Sequence, residues 1–225
     1  MVLRIMPSNE ALPKYEGEVE ELYRDEHIVV VNKPPFFLSV PGRHPDNFDS
    51  VQSRMQQGYP EAMAAHRLDL DTSGIMIVAL HKEALKLVQR QFQDREVEKE
   101  YVAVVYGLVE EDQGEVTLPL RCDWPNRPRQ MVCYEHGKNA HTKFEVISRD
   151  KQAQTTRLRL IPITGRSHQL RVHTKEMQHP ILGCDLYAHE EALAMSPRLL
   201  LHARYLKFKH PISGDVMEIV KEAEF

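Results

Sequence analysis

The stretch HRLDLDTSGIMIVAL, residues 66 to 80, sets Asp69 and Asp71 two apart, with His66 and Arg67 before them and Thr72, Ser73 and Gly74 after them. An apolar run from Ile75 to Leu80 follows directly. Carboxylates this close to a guanidinium and a turn are candidates for nucleophilic, general-base or phosphate chemistry. A phosphoryl-transfer aspartate would stand at the carboxyl end of a buried strand, whereas here the apolar run comes after the acids. No second acidic motif follows that would hold magnesium. A glycosidase pair would come from separate elements on either side of the sugar. What remains is a single aspartate held by cations, acting as nucleophile or base without a metal.

The chain that must position it has 225 residues, enough for one large domain or two small lobes sharing a cleft. HIVVVNKP (27 to 34) reads as a strand stopped by Pro34 and Pro35, and SVQSRMQQGY (50 to 59) as a short helix behind Asp49. IMIVAL reads as a buried strand. In HKEALKLVQRQFQDREV, Leu85, Val88 and Phe92 fall at helical spacing, and EYVAVVYG returns to strand. Further strands are expected at 143–147, 157–163, 200–209 and 215–221, with a helix from Ser167 to about Gln178. Strands outnumber helices without regular alternation, which favours an α+β fold over a doubly wound one. PPFFLSVPG (34 to 42) and LRCDWPNRPRQMVCYEHGKNA (120 to 140) read as loops, and loops on a rigid scaffold often carry recognition.

Composition narrows the function classes. With 42% hydrophobic and 28% charged residues and no apolar run near the roughly 18 that a membrane span needs, the chain reads as a soluble globular protein. The N-terminus carries acids and a proline where a signal peptide needs a basic start and an apolar stretch, so a cytoplasmic location is expected. Three cysteines without a CxxC pair, and twelve histidines without a tight ligand cluster, suggest neither a disulfide framework nor a metal. The formal net charge of −4 argues against binding nucleic acid by bulk attraction. Its distribution argues otherwise: residues 151–175 hold six basic side chains (Lys151, Arg157, Arg159, Arg166, Arg171 and Lys175) and no acid. Trp124 among Arg121, Arg127 and Arg129 adds a ring that could stack on bases beside cations that grip phosphates.

These residues carry a resemblance. HRLDLDTSG is similar to the HRLDxxTSG motif of the RluA-type pseudouridine synthases, whose aspartate, Asp69 here, is the essential catalytic residue. KEYVAVVYG (99 to 107) resembles the stretch that supplies the active-site tyrosine, here Tyr101, and PITGRSHQLRVH (162 to 173) the stretch whose first arginine, here Arg166, pairs with the aspartate. HIVVVNKPPFFLSVPG resembles the N-K-P-x-G signature, with Pro35 and Phe36 standing where x and glycine are usual.

The resemblance implies a pseudouridine synthase catalytic fold: a mixed, mostly antiparallel sheet with flanking helices and a central RNA-binding cleft. It covers residues 22–225 as a single catalytic domain behind an extension of residues 1–21, which is too short for an S4 RNA-binding domain. It implies a monomer, no cofactor, and structured RNA as partner: stem-loops of 23S ribosomal RNA and the anticodon stem-loop of transfer RNA. A non-catalytic RNA-binding or RNA-folding module on the same fold is the alternative.

Isomerising uridine breaks the N1–C1′ bond, turns the uracil and rejoins it through C5, so a carboxylate suffices and no redox step is needed. Attack on the sugar, attack on the base and removal of a sugar proton are all open to Asp69. Arg166 can hold a carboxylate bidentately, and Tyr101 offers a flat ring and a hydroxyl. A uridine in a stack must be flipped out, and Arg67, two before the aspartate, is placed to fill the gap. Lys99, Arg171 and His173 complete the expected RNA contacts, and the last two could instead support the site residues from behind. His66 is expected to pack or hydrogen-bond, and Asp71 to shape the turn with Thr72 and Ser73.

Overall fold

The computed structural model describes residues 11–225, so the first ten residues of the expected N-terminal extension lie outside it. The chain forms two compact units, one of residues 11–99 and 203–224, the other of 100–202 with 225.

The first unit opens with β1 (Glu20–Arg24) and β2 (Ile28–Lys33), an antiparallel pair. After a loop come α1 (Val51–Gly58), β3 (Met63–Ala64), β4 (Ser73–Ala79) and α2 (Lys82–Gln93). All seven residues of β4 are buried. It lies antiparallel to β2, with Asn32 opposite Ile75 and Lys33 opposite Gly74. Ile28, Val30, Ile75 and Ile77 share one core with Ala84 and Val88 of α2. That apolar stripe, at helical spacing, is why the helix settles there. α1 is capped by Ser50, whose hydroxyl accepts from the Ser53 N–H while the Ser53 hydroxyl accepts from the Ser50 N–H. Asp49, the expected start signal, pairs instead with Arg54 at 2.7 Å.

The second unit carries β5 (Glu98–Tyr106, which begins in the first), β6 (Gln113–Val116), β7 (Leu120–Cys122), β8 (Gln130–Val132), β9 (Thr142–Asp150) and β10 (Thr155–Pro162). α3 (Gln169–Glu176) and α4 (Glu190–Ala194) follow. Its sheet order is β5-β10-β9-β6, with each neighbouring pair antiparallel. The stretch 120–140, expected as a loop, contains the two-stranded ladder β7-β8 instead. The chain then returns through β11 (Leu201–Lys209) to β12 (Val216–Val220), paired antiparallel. β11 runs beside β4 so closely that a Cβ on Gly74 would sit 2.3 Å from the Ala203 carbonyl oxygen. Gly74 also holds φ +118°, so the start of β4, just after the Asp69 segment, admits only glycine there. Few helices on a mixed sheet make this the α+β fold the pattern predicts. No helix among the described residues is long and apolar enough to cross a membrane.

Candidate active site

Asp69 lies in the segment between β3 and β4, half-buried, and its carbonyl accepts from the Thr72 N–H at 3.2 Å to close a turn. The backbone is held on both sides of it. Before it, the Ser39 hydroxyl donates to the Leu68 carbonyl at 2.8 Å and accepts from the Leu68 N–H at 3.1 Å. After it, the Lys33 ammonium donates to the Leu70 carbonyl at 3.0 Å. Lys33 is fully buried and donates also to the carbonyls of Pro34 (2.9 Å) and Phe37 (2.7 Å). Wrapping the chain around that ammonium takes a left-handed residue, and Phe36, at the usual glycine position, has φ +58°. A residue with a Cβ carries roughly 1 kcal/mol or more of strain in that region, so the turn keeps its geometry without its glycine. Only the N-K-P resemblance pointed to Lys33, since a lysine ending an apolar strand carries no chemical sign of its own burial.

Arg67 is exposed while its neighbour Leu68 is buried. His66 is half-buried against the Phe92 ring, with centroids 4.5 Å apart, and its Nε2 accepts from the Ile77 N–H at 3.0 Å. Burial, aided by the charge of Lys99, pushes this imidazole down to about 3. Lys99 is itself half-buried, and burial lowers its ammonium. A ring that must stay neutral to accept a backbone N–H is a packing group, as the sequence suggests.

A neutral His66 links stability to pH. Its folded value of about 3 lies below the ordinary 6.5, so its contribution is whole above 6.5 and lost as pH falls from there toward 3. Asp25 follows in stronger acid. Burial works to raise it, but the Ile28 and His27 N–H groups, the Tyr23 hydroxyl and His210 together hold it at about 2 against an ordinary 3.8. Its contribution goes between those values. The melting temperature should therefore fall between pH 7 and pH 4, and circular dichroism should show a shallower fall in His66→Gln. Equal slopes would exclude His66 as a source.

In the second unit Tyr101, on β5 opposite Leu160, is half-buried and packs on the cluster of Ala103, Leu158 and Leu160. Arg166 stands in the turn between β10 and α3, its Nε donating to the Asn139 carbonyl at 3.0 Å. Gln169, overlooked in the sequence, gathers that turn. Its Oε1 accepts from the Arg166 N–H (3.0 Å) and the Thr164 hydroxyl (2.7 Å). Trp124 is 59% exposed, with the Arg127 guanidinium 3.7 Å from its ring centroid. Arg129 is half-buried in the same hairpin. A link runs from this hairpin to the Arg166 turn: the Gln130 N–H donates to the Tyr187 hydroxyl at 2.8 Å, which lies 2.6 Å from His168 Nδ1.

A family model described as RNA pseudouridylate synthase matches residues 27–176, which hold the Asp69 turn, Tyr101 and the Arg166 turn. The chain belongs to the RNA pseudouridine synthase family. The dual-specificity RNA pseudouridine synthase RluA of Yersinia pestis is 56% identical over 91% of this chain and 98% of its own length. The protein of that name from Escherichia coli K12 is 53% identical over 95% of this chain and 97% of its own. Among solved structures, Human RNA Pseudouridylate Synthase Domain Containing 1 superposes with a TM-score of 0.80 at 27% identity, covering 95% of this chain and 86% of that one. This synthase is accordingly an RNA isomerase that converts uridine to pseudouridine.

Two expected RNA contacts are corrected by burial. Arg171 is 2% exposed, its guanidinium bonded to Asp185 (2.5 Å) and to the Cys184 sulfur (3.3 Å). His173 is 0% exposed, set between the Thr142 hydroxyl (2.9 Å) and the Leu118 carbonyl (3.1 Å). Neither side chain can reach a phosphate without opening the core. The basic stretch is also less basic than it reads. Arg159 sits 3.7 Å from Glu100 and 3.1 Å from Glu145, and Lys175 lies 2.6 Å from Glu176.

Proposed function

We propose that Asp69 is the catalytic carboxylate of this synthase, and that Arg166 and Tyr101 are its further catalytic residues. The observation that carries Asp69 is its anchoring. Ser39 fixes the residue before it and Lys33 the residue after it, so its Cα is held while its side chain stays half-buried. Positional precision of that kind is what a reacting group needs. The isomerisation balances within the nucleotide: N1–C1′ breaks, C5–C1′ forms, C5 loses a proton and N1 gains one. Asp69 assists the bond exchange as nucleophile or base, and the Tyr101 hydroxyl takes part in proton transfer. We take the substrates to be stem-loops of both ribosomal and transfer RNA, in keeping with the dual specificity in the relatives' names. Residues 22–225 act as one catalytic domain, working as a monomer in the cytoplasm. Arg67, Lys99, Trp124, Arg127 and Arg129 meet the RNA.

Incubating the protein with isolated stem-loops, one from ribosomal and one from transfer RNA, and mapping carbodiimide-resistant adducts should show pseudouridine at one loop uridine in each. Tight binding of both with no pseudouridine would point to a non-catalytic RNA module instead. Arg67→Ala tests the filling of the vacated stack. Unstacking a base costs a few kcal/mol, so this variant should lose about tenfold in rate on a rigid stem-loop and far less on a flexible one. Equal losses on both RNAs would remove Arg67 from that role.

A further inference from the structure

We propose that Gln169 is a positioning residue that sets Arg166 for catalysis, through a hydrogen-bond chain buried behind the Arg166 turn. The proposal rests on the reading of Arg166 given above. Gln169 is 3% exposed, and its amide makes four bonds to two stretches of chain, residues 164–166 and 141–142. Its Oε1 takes the Arg166 N–H at 3.0 Å and the Thr164 hydroxyl at 2.7 Å. Its Nε2 gives to the His141 carbonyl and to the Thr142 hydroxyl oxygen, both at 3.0 Å. The Thr164 oxygen in turn accepts from the His141 N–H at 2.9 Å.

The amide's direction follows from the far end of the chain. The Leu118 carbonyl can only accept, so His173 Nε2 carries the proton and Nδ1 is the acceptor. Burial lowers His173 from its ordinary value, in keeping with a neutral ring. The Thr142 hydroxyl therefore donates to Nδ1 and receives the Gln169 N–H, which leaves the Gln169 oxygen facing Arg166. An amide turned the other way would set N–H against N–H at Arg166 and lone pair against lone pair at His141. The Arg166 backbone is thus fixed by Gln169 while its guanidinium is fixed by the Asn139 carbonyl. Glutamine does this where glutamate or leucine cannot, because only an amide both accepts twice and donates twice. His173, excluded as an RNA contact, is the terminus of the chain.

Gln169→Met fills the space and removes all four bonds. With a stem-loop substrate, its kcat should fall about 10- to 100-fold, since displacement of a catalytic group by an ångström costs on that order. KM should stay within about threefold, because no RNA contact is lost. The double variant R166A/Q169M should be no slower than R166A, since positioning an absent side chain has no effect. Multiplicative losses in the double variant, or an unchanged kcat in Q169M, would overturn the proposal. Should Q169M fail to fold, T164V removes one of the four bonds and leaves the glutamine in place. It also removes the acceptor of the His141 N–H, within the same network, and should show a smaller kcat loss that vanishes in the R166A background; a loss persisting there would overturn the proposal equally. Full activity in R166A alone would instead remove Arg166 from the mechanism, a different failure from an inert Gln169.

Discussion

Asp69→Asn is expected to abolish pseudouridine formation, with a loss of at least about 10³-fold in single-turnover rate, while leaving RNA affinity within a few-fold. An asparagine amide keeps the size and planarity of the carboxylate but is neither nucleophile nor base at neutral pH. The turn itself should survive, because the bonds that fix it run through backbone atoms of Leu68, Asp69, Leu70 and Thr72 and the side chains of Ser39 and Lys33. Filter binding and carbodiimide mapping on one stem-loop separate the two quantities. More than about a tenth of wild-type turnover in the variant would show that the essential carboxylate lies elsewhere. A parallel loss of binding and melting temperature would show instead that Asp69 supports the fold.

The family was legible along the chain because HRLDLDTSG, KEYVAVVYG and PITGRSHQLRVH are short motifs in a fixed order. The strand after Asp69 was readable because β4 is apolar throughout, and α2 because Leu85, Val88 and Phe92 recur at helical spacing. The short strands were not. β7 and β8 have three residues each, flanked by proline and arginine, too few to show alternation, and β1 reads EELYR, which no apolar pattern marks. Charge misled for a physical reason. The acid-free run 151–175 finds its counter-charges in Glu100, Glu145 and Asp185, which only folding brings near. A count within a sequence window measures composition, whereas a surface potential depends on which partners the sheet register delivers. Thus Arg159 is spent on cross-strand pairs, since Glu145 is its register partner on β9. Gln169 stayed hidden because an amide carries no charge, and its role exists only once four partners surround it.

Lys33→Met is expected to destabilise the fold by about 3 kcal/mol, although it replaces a charge in the core with an apolar chain of similar length. Two effects oppose each other. Removing a buried ammonium relieves its desolvation, which on its own would favour methionine. Against that, the carbonyls of Pro34, Phe37 and Leu70 lose a charged donor, and hydrogen bonds to a charged group contribute about 1.5–3 kcal/mol each. The carbonyls prevail because the chain is folded around the ammonium: Phe36 adopts φ +58°, a conformation it would otherwise leave. For a chain of this length the change corresponds to a fall of roughly 6–12 °C in melting temperature. Activity should fall too, even well below the melting point, because the bond to Leu70 is what holds the residue after Asp69. Calorimetry with activity at 20 °C tests both parts. A melting temperature within about 2 °C of wild type would mean that the three carbonyls find other donors, and that the Asp69 turn does not depend on the lysine beneath it.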